Sequence, residues 1–446
     1  MSEAWRARKV LVLGAGVSGV AVARYLQERR GILVDLVDRA PDKVAAKCSN
    51  LPLPVRPEEH ALESLHEVDL VVTSPGVAPT NAVLRRAVEL GIPVWSEIEL
   101  SYRELDVPIV AVTGTNGKST TTVLIGEICR QAGVHAFVGG NLGTPLIEAA
   151  YQPQYDLVVA EVSSFQLEWV HNFRPYVGVF LNLSPDHLDR YPDLDAYGAA
   201  KMRLFARQGS REFAVLNCDD PWVWGHREGI AATVKGFSQQ NARDADAVAD
   251  GDTLRIRDRQ GRAWSLDLSQ SPLEGTHNRE NILAAALTAH CLRLPEAAAQ
   301  SAIRTIQPLP HRLQFVREWR GIRFYDDSKG TNIGAVEKSL TSFASPIILL
   351  AGGYDKGGDY ANLGPILRAR VRHAVFFGAA GPKWAEQAGR FVPHTLVRHL
   401  KEAVRKAAEI AEPGDVVLLS PGCASFDEFE NFAHRGRCFR QWVEEL

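Results

Sequence analysis

The stretch from Ile109 to Thr122 leaves this chain few choices. Ile109–Val110–Ala111–Val112 is an uninterrupted apolar run. Thr113–Gly114–Thr115–Asn116–Gly117 is a turn carrying two glycines, and Lys118–Ser119–Thr120 opens a helical pattern continued by Val123, Leu124, Ile125 and Ile128. A short apolar run before such a turn, with a helical pattern after it, reads as strand–turn–helix. The backbone N–H groups of the loop, with a helix start behind them, can wrap a polyphosphate. Lys118 would reach the terminal phosphates and the Ser119 hydroxyl would hold Mg²⁺. The match to the common phosphate-loop pattern is incomplete, because its first glycine falls at Val112. A plain strand–turn–helix is the alternative.

The N-terminal part repeats the strand–turn–helix plan. Lys9 to Leu13 reads as a buried strand, Gly14–Ala15–Gly16–Val17–Ser18–Gly19 matches G-x-G-x-x-G, and a helix follows to about Arg30. A second strand, Leu33 to Val37, delivers Asp38, near the distance expected for a ribose-binding acid. Alone, this segment suggests an NAD-dependent oxidoreductase. The glycines themselves report only a tight turn with a phosphate-sized space at a helix start, which suits any nucleotide diphosphate. A strand at Asp69–Thr73, a helix near Val83–Leu90 and a short strand at Ile92–Trp95 complete an α/β unit, with a linker around Ser101–Pro108. Arg6, Arg8 and Lys9 before an apolar stretch imitate a secretory leader, but the glycine spacing explains that stretch better.

Downstream of the phosphate loop, Gly139–Gly140–Asn141–Leu142–Gly143 is a polar turn after a short strand. Tyr155–Ala160 is a strand ending in Glu161–Val162–Ser163–Ser164. A carboxylate at such a strand end suits Mg²⁺, although strand-end acids are also common on loops. Val177–Leu183 leads into Ser184–Pro185–Asp186–His187, where His187 gains weight from Asp186 beside it and from the strand end before it. Lys201 lies in a helical pattern from Tyr197 to Phe205, where a lysine is ordinarily solvated. Residues 241–270 are polar and irregular, a small antiparallel excursion with no site in it. Asn278 and Asn281 stand one turn apart on an alanine-rich helix, so both amides can face one ligand; a cap or a buried amide is the alternative.

Pro308–Leu309–Pro310–His311–Arg312 marks a second boundary. Strands then alternate with helices, implying another doubly wound unit whose strand ends carry Asp326–Asp327–Ser328–Lys329–Gly330–Thr331, Lys356 and Ser420–Asp427. The length of 446 residues allows about three domains. A net charge of −3 gives no hint of a nucleic-acid or membrane surface, and no apolar run is long enough to span a bilayer. Cys48, Cys129, Cys218, Cys291, Cys423 and Cys438 are scattered without metal-type pairing, as expected of a protein in the reducing cytoplasm.

Together these residues resemble the Mur ligase family, ATP-dependent enzymes of bacterial cell-wall precursor synthesis. The resemblance covers nearly the whole chain. It is carried by Thr113–Thr120, Glu161–Leu167, Asp186–Arg190, His277–Asn278, Leu309–Arg312 and Asp327–Lys329. Ser420–Asp427 and the later Phe432–Gly436 resemble the branch that adds D-glutamate to UDP-N-acetylmuramoyl-L-alanine, and the Asp-Asn-Pro-Arg motif of the diaminopimelate- or lysine-adding branch is absent.

The family implies three α/β domains. Residues 1–106 would be Rossmann-like and bind the UDP precursor, 107–308 a phosphate-loop ATPase domain, and 309–446 a second Rossmann-like domain for the amino acid. It implies phosphorylation of the alanyl carboxylate by ATP and attack of the glutamate amine on the acyl phosphate. By resemblance, Gly114, Thr115, Asn116, Gly117, Lys118, Ser119 and Thr120 hold the ATP phosphates. Asn278 and Asn281 serve the adenine side, Arg312 the phosphates, Asp327 the ribose, and Lys329 belongs to the same nucleotide site. Ser119 and Glu161 hold one Mg²⁺; His187 and a carbamylated Lys201 serve a second. Lys118, His187 and Lys201 form the catalytic set. Val17, Ser18 and Asp38 cradle the UDP moiety, although Arg39–Ala40 stand where the family has Thr-Arg. Asn141 and Ser163 position the muramoyl-alanine end; Thr331, Lys356, Ser425 and the Phe432 backbone bind the glutamate carboxylates. The partners expected are small molecules alone, with no nucleic acid and no membrane insertion, acting on a monomer.

Overall fold

The computed structural model describes residues 5–47, 53–151, 154–240, 242–257, 263–273 and 275–446. They fall into two compact units. One comprises residues 1–183, 197–270 and 280–305, and the other 184–196, 271–279 and 306–446.

The first unit holds two sheets. The N-terminal sheet contains β1 (Lys9–Leu13), β2 (Leu33–Asp38), β3 (Val55–Pro57), β4 (Leu70–Thr73) and β5 (Val94–Ser96), all parallel, in the order β3-β2-β1-β4-β5. The order reverses between β1 and β4, which opens a crevice at the carboxyl ends of those two strands. Val10, Val12 and Leu36 pack on one face and Leu11, Leu13 and Val37 on the other, so the helices cover both. The helix Glu97–Glu104 runs through half of the stretch expected as a linker, because Ile98, Leu100 and Ser101 are fully buried.

The larger sheet contains β6 (Ile109–Thr113), β7 (Ala136–Gly140), β8 (Leu157–Glu161), β9 (Val177–Phe180), β10 (Phe213–Asn217), β11 (Thr233–Ser238), β12 (Ala247–Asp250), β13 (Thr253–Arg257) and β14 (Ala263–Asp267). Its order is β14-β13-β12-β11-β10-β9-β6-β8-β7. Every residue of β6 is buried, as its apolar run requires. Strands β12 to β14 form the antiparallel excursion, with residues 241 and 258–262 outside the described set. Strand β9 stops at Phe180, short of the expected Leu183.

The second unit carries β15 (Gln314–Trp319), β16 (Ile322–Asp326), β17 (Ile347–Gly352), β18 (Val371–Phe377), β19 (His394–Leu396) and β20 (Val416–Leu419), in the order β15-β16-β20-β17-β18-β19. All pairs are parallel except the β15–β16 hairpin. Leu349, Leu418 and Trp384 lie in the core on one side, Leu350, Leu419 and Phe439 in the core on the other. Each such side chain contributes about 1.5–3 kcal/mol by leaving water.

Candidate active site

The glycine motif sits at the carboxyl end of β1. The helix Val17–Arg30 begins there with Gly16 as its N-cap, so the amides of Val17 and Ser18 lie in the first turn, where a helix supplies no acceptor. Asp38 ends β2 and closes the turn: its Oδ2 accepts from Ala15 N at 2.8 Å and its Oδ1 from Ala40 N at 2.9 Å. A cavity of about 680 Å³ opens over these residues, lined by Gly14, Gly16, Val17, Ser18, Asp38 and Arg39 and by Ser74–Ala78, Thr80 and Asn81 after β4. A neighbouring cavity shares Gly16, Val17 and Asp38 and adds Pro145 and Glu148.

The phosphate loop crosses from β6 to the helix Lys118–Gln131. Gly117 is left-handed (φ 86°), and a Cβ there would lie 2.1 Å from the Asn281 amide oxygen, so the position tolerates only glycine. Asn182 clamps the loop from outside. Its carbonyl accepts from Thr115 N and its side-chain oxygen from Asn116 N, both at 2.9 Å, while its Nδ2 donates to Asn116 O at 3.1 Å. Sequence reasoning missed this residue; its one signal is its place just beyond a parallel strand.

Lys118 Nζ donates to the carbonyls of Gly114 (2.9 Å) and Thr115 (2.8 Å). Lys201 is not solvated: it is 1% exposed, and its Nζ also donates to Gly114 O, at 2.9 Å, with the Tyr197 ring centroid 4.5 Å away. The helix Leu194–Met202 brings it there by resting on Trp222; a Cβ at Gly198 would lie 2.2 Å from that indole. Glu161 is likewise buried rather than on a loop surface. It pairs with Val112 in register, and its Oε1 accepts from Asn141 Nδ2 at 2.7 Å. Thr115, Ser119 and Thr120 are buried in the loop and first helical turn. Ser163 caps the short helix Ser164–Leu167 in a reciprocal pairing with Gln166. Asn281 is a buried amide that accepts from Thr121 Oγ1 at 3.3 Å.

The Ser119 hydroxyl and the Glu161 carboxylate are oxygen donors on adjacent strand ends, the chemistry a hard Mg²⁺ selects. Among the described residues no group of three or more His, Cys, Asp or Glu forms a metal cage. A nucleotide-bound Mg²⁺ needs none, since one or two protein oxygens complete a shell made by phosphates and water.

The other predicted residues belong to the second unit. His187 adopts a left-handed backbone (φ 56°). Asp186 beside it accepts from Lys356 Nζ at 2.6 Å and from Asn332 Nδ2 at 3.1 Å. Burial opposes its charge, yet the Lys356 ammonium, His187 and Asn332 hold its carboxyl below the usual value. Asn278 lies in the first turn of the helix Thr276–Cys291 and is half-buried. Arg312 follows the Pro310–His311 corner, flanked by left-handed His311 and Leu313. Asp327 is buried, accepts from Ser339 Oγ (2.7 Å) and Ser420 Oγ (2.8 Å), and burial pushes its carboxyl up to about 6. Lys329 Nζ lies 4.0 Å from the Phe432 ring centroid, and Thr331 is half-buried beyond it. Ser425 is buried at the β20 end. Arg435, which sequence reasoning also missed, ties these loops together. Fully buried on the helix Phe432–Glu444, it donates to Ser328 Oγ and O and to the carbonyls of Cys423 and Ala424.

Comparison with known proteins agrees along the chain. Residues 8–96 match the Mur ligase MurD-like N-terminal domain, 112–289 the Mur ligase middle domain, and 311–423 the Mur ligase glutamate ligase domain. The UDP-N-acetylmuramoylalanine--D-glutamate ligase of Syntrophus aciditrophicus (strain SB) is 42% identical over 442 residues, covering 98% of this chain and 97% of its own. The enzyme of the same name from Geobacter metallireducens is 43% identical over 444 residues, 98% of each. Among solved structures, a pseudomurein peptide ligase type C from Methanothermus fervidus shares the fold, with a TM-score of 0.63, 17% identity and coverage of 98% of this chain and 99% of that one. Matched by three Mur ligase domain models along its length and 42% identical to a near-full-length relative, this chain belongs to the Mur ligase family.

Proposed function

We propose that this chain joins D-glutamate to UDP-N-acetylmuramoyl-L-alanine, forming an amide while ATP becomes ADP and phosphate, as a step of peptidoglycan precursor synthesis. The observation that carries this reading is the convergence of Lys118 and Lys201 on one phosphate-loop carbonyl, next to the strand that ends in Glu161, which holds Asn141. Near-full-length similarity to relatives bearing that name supports the choice of amino acid. The NAD-enzyme reading of the glycine motif accounts for none of these central residues, and a nucleotide-binding protein without ligase chemistry accounts for none of the third-sheet residues.

A carboxylate is a poor electrophile, so the alanyl carboxylate attacks the terminal phosphorus of ATP and ADP leaves. The amine of D-glutamate then adds to the acyl phosphate carbonyl, phosphate departs, and a proton is released. Both steps gather negative charge on oxygen, where preorganised cations and N–H donors act most strongly. In this reading residues 1–106 bind the precursor, 107–308 ATP and 309–446 the amino acid. Lys118 moves from the loop carbonyls to the terminal phosphates, which Gly114–Thr120 amides cradle. Ser119 and Glu161 would hold one Mg²⁺, His187 and Lys201 a second; the ions would screen phosphate charge. Asn278 and Asn281 serve the adenine side, Arg312 and Lys329 the phosphates, and Asp327 the ribose. Val17, Ser18 and Asp38 receive the UDP moiety, Asn141 and Ser163 the muramoyl-alanine end. Thr331, Lys356, Ser425 and the Phe432 amide compensate the two glutamate carboxylates.

Lys201 in this reading is carbamylated. The neutral amine attacks CO₂, an N–C bond forms and a proton leaves, so a cation becomes an oxygen-bearing anion suited to Mg²⁺. A monomeric, cytoplasmic enzyme is proposed. Among the described residues no helix is long and apolar enough to cross a membrane, and Cys129, Cys218, Cys291, Cys423 and Cys438 are free thiols, Cys48 lying outside the described set. The test is phosphate release with ATP, the precursor and single amino acids. Release dependent on D-glutamate and on all three components together is expected; stimulation by another amino acid instead would overturn the assignment.

A further inference from the structure

The turn that carries Asn141 is held at both ends by buried carboxylates. At its start, Asn141 N donates to Glu161 O at 2.8 Å and Asn141 Nδ2 to Glu161 Oε1 at 2.7 Å. At its end, where the 3₁₀ helix Leu146–Tyr151 begins, the Ile147 amide donates to Glu97 Oε1 at 2.7 Å. Glu161 belongs to the site described above. Glu97 does not: it is the first residue of the helix Glu97–Glu104, is 1% exposed, and comes from the strand end of the other sheet in this unit.

A buried carboxylate ordinarily serves stability by being fully paired, and Glu99, two residues on, does so. It accepts from the amides of His171, Asn172 and Phe173 and from Arg103. Among the described residues Glu97 has no cation of this kind. Its hydrogen bonds come from the Ile147 amide (2.7 Å) and the Ser101 hydroxyl (3.2 Å), and its Oε2 has no partner among the described residues. Burial of a carboxylate with so few donors is unfavourable in itself. What it does is fix the far end of the Asn141 turn, from which Pro145 and Glu148 line the cavity shared with Gly16, Val17 and Asp38.

We infer that Glu97 is a positioning residue for the precursor: by holding the Ile147 amide it sets the reach of the 141–148 segment toward the substrate that Asn141 contacts. This rests on the proposed role of Asn141. Removing one charge-assisted hydrogen bond in such a place changes affinity about tenfold or more.

The test compares Glu97→Asp, which keeps the charge but withdraws the oxygens by one methylene, with Glu97→Gln, which keeps the acceptor in place. Glu97→Asp is expected to raise the KM for UDP-N-acetylmuramoyl-L-alanine about tenfold, to leave the KM for ATP within about twofold, and to speed amide hydrogen exchange at Ile147. Glu97→Gln should stay within about threefold of the unaltered enzyme on all three. Equal rises in both KM values, or unchanged exchange at Ile147 in Glu97→Asp, would overturn the inference. The exchange measurement reads the turn without turnover, so an unaltered protein that fails to release phosphate with precursor and D-glutamate would overturn the ligase reading alone.

Discussion

Lys118 and Lys201 donate to the same oxygen, the carbonyl of Gly114, each at 2.9 Å. One lysine belongs to the phosphate loop itself and the other comes from a helix seated on Trp222. Two lysine side chains from different elements thus converge on the loop where a polyphosphate would be cradled, and this convergence frames what substitution should do.

Lys118→Ala should lower kcat by about 10²–10³, the usual effect of removing one preorganised charge from a transition state. Lys118 faces the loop carbonyls rather than a core, so the thermal midpoint should change little. Near-normal turnover by the folded variant would refute its role.

Lys201 should bear a carbamate under assay conditions. Enzyme equilibrated with ¹³C-labelled CO₂ is expected to give a carbamate carbon resonance that Lys201→Ala lacks, and Lys201→Ala should lose most activity. The prediction fails if the enzyme stripped of CO₂ keeps full activity and the labelled resonance never appears.

Lys356→Ala should raise the KM for D-glutamate about 10- to 100-fold, the effect of losing one charge-assisted bond to a carboxylate. The KM for ATP should hold within about twofold. Parallel increases in both would take Lys356 out of the amino-acid site.

Asn182→Ala should raise the KM for ATP about tenfold or more, because Asn116 loses both side-chain bonds, the one to its amide and the one from Nδ2 to its carbonyl, that fix its peptide groups in the loop. An unchanged KM would show that the loop holds its shape without the clamp.

Stability should fall as pH rises from about 4 toward neutrality. Burial pushes Glu97 from its ordinary 4.5 up to about 7 and Asp327 from 3.8 up to about 6. Both folded-state values are raised, so the folded chain holds more protons than the unfolded one in these windows. The contribution is full below the unfolded values and lost on the way up to the folded ones. Glu97 alone accounts for about 3 kcal/mol between pH 4.5 and 7. Glu97→Gln cannot titrate, so its thermal midpoint should decline less between pH 5 and 7.5 than that of the unaltered chain. Equal declines would remove Glu97 from the account.

The phosphate loop, the glycine turn before Val17 and the strand ends at Asp38, Glu161 and Asp327 were legible in the sequence. Each is a local event: an apolar run that must be buried, then residues that can only turn, then a helical period. Such patterns depend on neighbours a few positions apart, and chain order suffices to read them. Lys201, Asn182 and Glu97 were not legible in the same way. Their partners lie 87, 66 and 50 residues away, at Gly114, Asn116 and Ile147. A lysine in a helix and a glutamate at a helix start are ordinary surface residues by local pattern. Only the packing of Gly198 on Trp222, and of the helix Glu97–Glu104 beneath the Asn141 turn, removes them from water and aims them. The sequence by itself determined which chemical groups the chain owns and at which strand ends they emerge. The tertiary structure decided which of them are desolvated against one another, and desolvation is what turns a lysine or a carboxylate from a solubilising charge into a positioned one.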